Sequence, residues 1–318
     1  MTRRELLRQG AIVAGAALGT RSISLCAEPG RRRPLKLAII TDLHHGLAPD
    51  AMTRLEGFVG EAKRSKGIDA VIQMGDFCYS QPESESCIKL FDSLAHPKFH
   101  VLGNHDMDKC DKQTAMRTWG MQNRYGAYDI GDYRLVILDL NHFKKGGKLF
   151  PYDSGNYYTD NATHNWADPE QLAWLSKELR SSTKPVLLIS HQPLGFAEPG
   201  QAMPPEQVDV LKVVTDARKE NKRGAVAICL FGHLHVDRLE YYEGIPCYCV
   251  NSASYFWGGE MYPYSKPLYA FAEITEGGQF VIPGMPGEFV KQPPSDTDNV
   301  IGRSASIQSR LIELPRGI

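Results

Sequence analysis

"AVAICLFGHLHVD", residues 225–237, runs from seven consecutive apolar residues into Gly232, His233, His235 and Asp237. A short run of Val, Ile and Leu that ends abruptly in Gly and polar residues reads as a strand buried on both faces. In extended chain a two-residue step returns to the same side, so His233 and His235 point together. The same layout recurs in "PLKLAIITD" (34–42), "DAVIQMGD" (69–76), "KFHVLGNHD" (98–106), "RLVILDLN" (134–141) and "PVLLISH" (185–191). Helical patterns separate several of these runs. Met52, Leu55, Phe58, Val59 and Ala62 fall on one helical face, and Val208, Leu211 and Val214 on another. Asp168 followed by Pro169 looks like an N-cap with proline in the first turn, ahead of Leu172, Trp174, Leu175 and Leu179. Strands alternating with helices argue for an α/β fold.

Beyond about residue 240 the strands shorten and glycine-rich turns replace helices, which predicts a second, more antiparallel sheet. No break in composition divides 34–282, so one domain is expected there. Residues 283–318 read as a tail that wraps or frays, with "SRLIEL" (309–314) as a candidate edge strand.

The chain is 318 residues long, 42% apolar and 23% charged, which favours an ordinary folded protein over a disordered or fibrous one. Lys+Arg 36 against Asp+Glu 37 gives a net charge of −1, with no electrostatic footprint for nucleic acid or an anionic membrane. A small partner is expected, and oligomeric state is not legible. Seven cysteines at these spacings form neither a disulfide framework nor a zinc knuckle, and Cys229, Cys247 and Cys249 read as small buried strand residues.

The first 27 residues differ from the rest. A basic start with Arg3-Arg4 precedes an apolar Gly/Ala stretch from about Gly10 to Gly19, too short to span a bilayer. This is the layout of a secretory signal, and Thr2 to Leu7 resembles the twin-arginine export motif. Export to the periplasm or the extracellular space is expected, without a transmembrane anchor.

Chemistry-bearing residues collect where the strands end. Asp42 and His44 follow the first, Gly75-Asp76 the second, Gly103-Asn104-His105-Asp106 the third, Ser190-His191 the fifth, and Gly232-His233-x-His235 the sixth. In open α/β sheets the carboxyl ends of strands form the functional edge, so these groups should meet in space. Each motif alone is weak, because Asp and Gly are common turn residues for conformational reasons. Together they make a metal site. Asp42, Asp76, Asn104, His44, His191, His233 and His235 exceed the needs of one four-coordinate zinc, so two ions are implied. A mixed nitrogen and oxygen donor set without thiolates suits manganese, iron or zinc, in divalent or trivalent form. Two such ions about 3.5 to 4 Å apart can share a hydroxide that serves as nucleophile and can clamp both oxygens of a phosphoryl transfer. Phosphoester hydrolysis is their natural use.

The ordered set D-x-H, G-D, G-N-H-D, H and G-H-x-H, spanning Asp42 to His235, resembles that of the calcineurin-like metallophosphoesterases. The resemblance implies two central sheets flanked by helices, a four-layer α/β/β/α sandwich. It implies that Asp42, His44 and His235 hold one ion, that Asn104, His191 and His233 hold the other, and that Asp76 bridges them. It also implies that His105 assists the leaving oxygen, with Asp106 orienting it as a general-acid pair. Tyr79 stands where purple acid phosphatases carry an iron-binding tyrosine. That branch lacks a histidine in the first block, whereas His44 is present here, so Tyr79 is expected in a pocket wall or in packing. The D-x-H form resembles the phosphodiesterase branch. The contrasting expectation is a catalytically silent scaffold of the same fold, which should have lost ligands or His105; none is lost.

Three further features carry less. His45 is expected to be a solvated neighbour of His44. The stretches 141–161 and 255–264 are long, polar and aromatic, as loops on the substrate side often are. Lys144, Lys145 and Lys148 read by default as a solvated charge run.

Overall fold

A computed structural model describes residues 32–315. The expected export signal at 1–27 lies outside the described residues. In chain order the first half contains β1 (Leu35–Ile40), α1 (Ala51–Arg64), β2 (Ala70–Gln73), α2 (Glu85–Asp92), β3 (Lys98–His100), α3 (Lys112–Thr118), β4 (Gly126–Ile130), β5 (Tyr133–Ile137), β6 (His142–Lys145) and β7 (Lys148–Pro151). There follow α4 (Pro169–Ser181), β8 (Val186–Ile189), α5 (Pro205–Glu220), β9 (Val226–Phe231), β10 (Arg238–Tyr242), β11 (Ile245–Cys249), β12 (Tyr255–Trp257), β13 (Met261–Pro263), β14 (Ala270–Ile274), β15 (Gln279–Ile282) and β16 (Arg310–Glu313).

Two six-stranded sheets organise the fold, in the orders β16-β15-β14-β1-β2-β3 and β10-β11-β9-β8-β5-β4. Strands β1, β2 and β3 run parallel, as do β5, β8, β9 and β11, so the expected functional ends of both sets point one way within each sheet. Alternation along β1 shows the layering. Leu35, Leu37 and Ile39 join a core with Val136, Leu188 and Leu230 of the second sheet, which continues to Leu175 of α4 and Val210 of α5. Ala38 and Ile40 face the other way, onto Leu55 and Phe58 of α1 and Phe91 of α2. The result is the expected four-layer arrangement. Burying each such large apolar side chain stabilises the fold by about 1.5–3 kcal/mol.

Burial explains the sequence texture. Every residue of β8 and β9 is buried, which accounts for their unbroken apolar runs, whereas β14 alternates between buried and half-buried positions. The Asp168 carboxylate accepts from the Gln171 N–H and Pro169 opens α4, so that helix begins where its capping residues predict.

The strands beyond residue 240 depart from expectation. Apart from β12 and β13, which pair with each other as a two-stranded ribbon, they do not form a sheet of their own. β11 and β10 extend the second sheet, while β14, β15 and β16 pair antiparallel outward from β1 in the first. Local periodicity marks a strand but carries no record of which distant edge it will join. The stretch 309–314 supplies β16, and Ala305, Ile307, Ile312 and Leu314 are buried, so this part of the tail is packed into the body. The six described cysteines are free and buried, with Cys229 and Cys247 side by side in register on β9 and β11.

Candidate metal centre and active site

All seven metal-type donors and His105 leave the carboxyl ends of β1, β2, β3, β8 and β9, as the sequence predicts. The loops bind one another through backbone hydrogen bonds. Asp42 N–H donates to Gly75 O at 3.0 Å, His44 N–H to Asp76 O at 2.9 Å, and Gly232 N–H to His191 O at 3.1 Å. The glycines of the motifs are required by close approach. A Cβ on Gly232 would lie 2.4 Å from Asp42 Oδ2, and one on Gly103 would lie 2.2 Å from Asp76 Oδ1.

Five of the donors hold a left-handed backbone: Asp42 (φ 52°), His44 (53°), Asp76 (49°), His233 (65°) and His235 (52°). A residue with a side chain adopts this region at a cost of about 1–3 kcal/mol, and such strain gathers at functional sites. Histidine has no local stabilisation of this conformation to match that of asparagine or aspartate. The conformation persists because it aims the side chains inward.

Donor atoms of Asp42, His44 and His235 lie within 4.8 Å of one another, as do those of Asp76, His191 and His233. His235 Nε2 is 3.2 Å from Asp42 Oδ1 and 3.0 Å from His44 Nε2. His191 Nε2 is 3.1 Å from Asp76 Oδ2 and 3.3 Å from His233 Nδ1. The two triplets adjoin, for Asp76 Oδ2 is also 3.9 Å from His44 Nε2. His191 Nδ1 is 2.8 Å from Met74 O, which fixes its tautomer and turns Nε2 toward the cluster. Asn104 Oδ1 is buried without a hydrogen-bond partner, an arrangement that requires an explanation in a native fold. A cation supplies one, so the donor set fits a metal pair.

Electrostatics favour the same reading. Burial pushes the Asp42 carboxyl up, but His235 and His191 outweigh it and bring it down to about 2. Burial holds His44 and His233 near 3, so both imidazoles are neutral, as ligation requires. For His191 burial is overcome by Asp76 and Asp42, which raise it to about 9. The pocket therefore favours positive charge between those two carboxylates.

His105 lies at the edge of this cluster, its ring 5.2 Å from that of His44, and its backbone N–H donates to Asp76 Oδ1 at 2.7 Å. Its pairing corrects the sequence reading. Asp106 does not orient the ring: it is fully buried, accepting backbone N–H groups of Phe77 at 2.8 Å and Gly103 at 2.7 Å. Asp108 Oδ2 lies 2.7 Å from His105 Nδ1 instead. Residues 105–107 form a single 3₁₀ turn, which brings position i+3 beneath the ring and turns i+1 inward. A second carboxylate three residues after the histidine, in "NHDMD", was the available signal.

Both long aromatic stretches reach the site. Tyr255 packs 5.1 Å from the His44 ring and 4.8 Å from that of His235, while Tyr157 and Tyr158 stand 6.4 Å and 6.3 Å from His105. His45 does not join the donors, since its Nδ1 is 3.0 Å from Ser84 Oγ. Lys144 is spent on the face of Trp166, 3.6 Å from its centroid.

Two packed sheets carry clustered carboxylates and imidazoles at adjoining strand ends, the donor arrangement of a candidate metal centre. The calcineurin-like phosphoesterase family profile matches residues 35–237, and the chain belongs to that family. No curated protein sequence matches it significantly. Among solved structures it is similar to a dimetal phosphatase from Danio rerio, at 14% identity and a TM-score of 0.56, covering 81% of this chain and 99% of that one. It is similar also to GAP50, described as the anchor in the inner membrane complex of Plasmodium, at 14% identity and a TM-score of 0.55, covering 89% and 90%. These likenesses establish the fold. Family membership together with the clustered donors supports a metal-dependent phosphoester hydrolase at that general level.

Proposed function

We propose that this protein hydrolyses small phosphoesters, phosphodiesters or phosphomonoesters, at a pair of metal ions. The observation that carries the reading is the convergence of six donors into two adjoining triplets, five of the six on strained backbone, together with the buried and unpartnered Asn104 Oδ1. Asp42, His44 and His235 would hold one ion, Asn104, His191 and His233 the other, and Asp76 would serve both. Manganese, iron and zinc all suit these donors. When bound, such a pair acidifies water and neutralises charge on phosphoryl oxygens.

The chain's own residues do the rest. His105, held at Nδ1 by Asp108, which favours its protonated form, is placed to give a proton to the departing oxygen. Tyr157, Tyr158 and Tyr255 enclose the approach and limit water around the reacting groups. A fold shared with both a phosphatase and a protein described as an anchor does not decide between catalyst and scaffold. The intact His105–Asp108 pair favours the catalyst.

Chromogenic mono- and diesters assayed with manganese, zinc and iron test the proposal. Turnover that a chelator removes and metal restores is expected. A folded, metal-loaded protein inert to every ester would leave the scaffold reading in its place. We also propose export, on the basis of residues 1–27. Fractionation should find a shortened product outside the cytoplasm, and an uncleaved cytosolic protein would reject it.

A further inference from the structure

Next to the donor cluster is a cavity of about 420 Å³, lined by His45, Gly46, Tyr79, Gln81, Glu83, Ser84 and Lys109. Its walls are continuations of the loops that carry the donors. His45 N–H donates to Phe77 O at 2.9 Å, and Tyr79 N–H donates to His45 O at 3.2 Å. Tyr79 forms a flat, half-buried wall. Its ring lies against Gly46, where φ is +105° and an added Cβ would come within 2.5 Å of Tyr79 Cδ2, so glycine is needed for the ring to settle there. Lys109 Nζ stands 5.6 Å from the ring centroid, and the Gln81 side-chain amide donates to Lys109 O at 3.0 Å, which fixes the rim.

The position of the cavity is informative. Lys109 directly follows Asp108, the partner of His105, and the Tyr79 phenol is raised by burial and then by Asp108, Tyr158 and Asp76. Through Lys109 the rim of the cavity continues directly from the turn that carries His105 and Asp108. If His105 protonates the departing oxygen, the group on that oxygen must also lie near this turn. An aromatic face with both Lys109 and Glu83 at its rim suits a flat, uncharged ring better than an aliphatic chain or an acidic group.

We propose that this cavity receives the leaving group and that the preferred leaving groups are aromatic rings stacked on Tyr79, an inference that rests on the phosphoesterase reading above. Hydrolysis then breaks the bond between phosphorus and the leaving oxygen, water supplies the new oxygen on phosphorus, and the aromatic alcohol departs with a proton.

The test compares benzyl phosphate with the phosphate of an aliphatic alcohol of matched acidity, each also as its methyl diester, on the metal-loaded protein. The expected kcat/KM ratio is roughly tenfold in favour of benzyl, equivalent to about 1.4 kcal/mol. Tyr79→Leu should bring the ratio near one and Tyr79→Phe should keep it. Gln81→Trp, which fills the rim and leaves every donor residue in place, should also erase it. A readout independent of turnover is saturation-transfer NMR of benzyl alcohol on the metal-free protein, where a signal in the wild type that Tyr79→Leu removes is expected. Both esters hydrolysed at equal rates would overturn the cavity assignment and leave the phosphoesterase reading intact. Neither ester hydrolysed, with no benzyl alcohol signal, would overturn both.

Discussion

Asp139 and Asp76 are both buried carboxylates just past the ends of parallel strands, yet their surroundings follow opposite rules. Both carboxylate oxygens of Asp139 are partnered. Oδ2 accepts from Lys112 Nζ at 2.7 Å and Arg124 at 3.2 Å, and Oδ1 accepts from the Asn141 N–H at 3.1 Å and its side-chain amide at 2.8 Å. Asp76 has φ 49°, a second carboxylate close enough to act on it, and histidines rather than lysine or arginine as its neighbours. The Asp139 cluster supplies its own charge balance and serves the fold. The Asp76 cluster has only imidazoles to offset its carboxylates and stores backbone strain, as a site built for external cations would be.

The comparison breaks first at Asp76. Asp76→Asn should cut turnover by roughly 10³-fold or more, at least what loss of one oxyanion-hole donor costs. Steady-state kinetics with parallel metal analysis would show it, and near-normal turnover with both ions retained would remove Asp76 from the centre. Asp139→Asn should act on stability instead, costing about 3 kcal/mol in urea denaturation because Lys112 and Arg124 lose a buried counter-charge.

The sign of its pH dependence follows from the direction of the shift. Burial raises the Asp139 carboxyl, but Lys112, His142 and Arg124 outweigh it, so the folded value lies below 3.8. A depressed carboxylate contributes stability that is fully present above its unfolded value and lost as pH falls through the folded one. The gap between wild type and Asp139→Asn should stay constant above about pH 5 and close in stronger acid. A gap that widened on acidification would contradict the pairing.

A smaller effect separates the two acids near His105. Asp108→Asn should slow hydrolysis about tenfold, within the general-acid contribution, and mainly for poor leaving groups. Asp106→Asn should show chiefly as lost stability, because its partners are backbone N–H groups. Equal effects of the two on leaving-group dependence would undo that distinction. The smallest effect is expected at His233, partly exposed and at φ 65°. His233→Gly relieves strain of about 1 kcal/mol, so the thermal midpoint of the metal-free protein should not fall. A clear drop would mean that the conformation is not strained.

Much of this was legible because it is local. Val186–Ile189 and Val226–Phe231 announced buried parallel strands, Asp168-Pro169 announced α4, and the donors sat at the predicted strand ends. What escaped depends on distance or on the geometry of a single turn. No residue in 270–313 records that β14 pairs with β1, 231 to 239 positions away in sequence, and the choice between Asp106 and Asp108 depends on the direction of one 3₁₀ turn. Tyr79 offered an aromatic ring in sequence, but only its seat on Gly46 makes it a wall.

The most direct test of the central claim is metal stoichiometry. Protein incubated with excess manganese, zinc or iron, desalted and measured by inductively coupled plasma mass spectrometry together with protein concentration should carry two ions per chain, and fewer after His191→Ala. A correctly folded wild type that emerges with none, whichever metal is offered, would contradict the account.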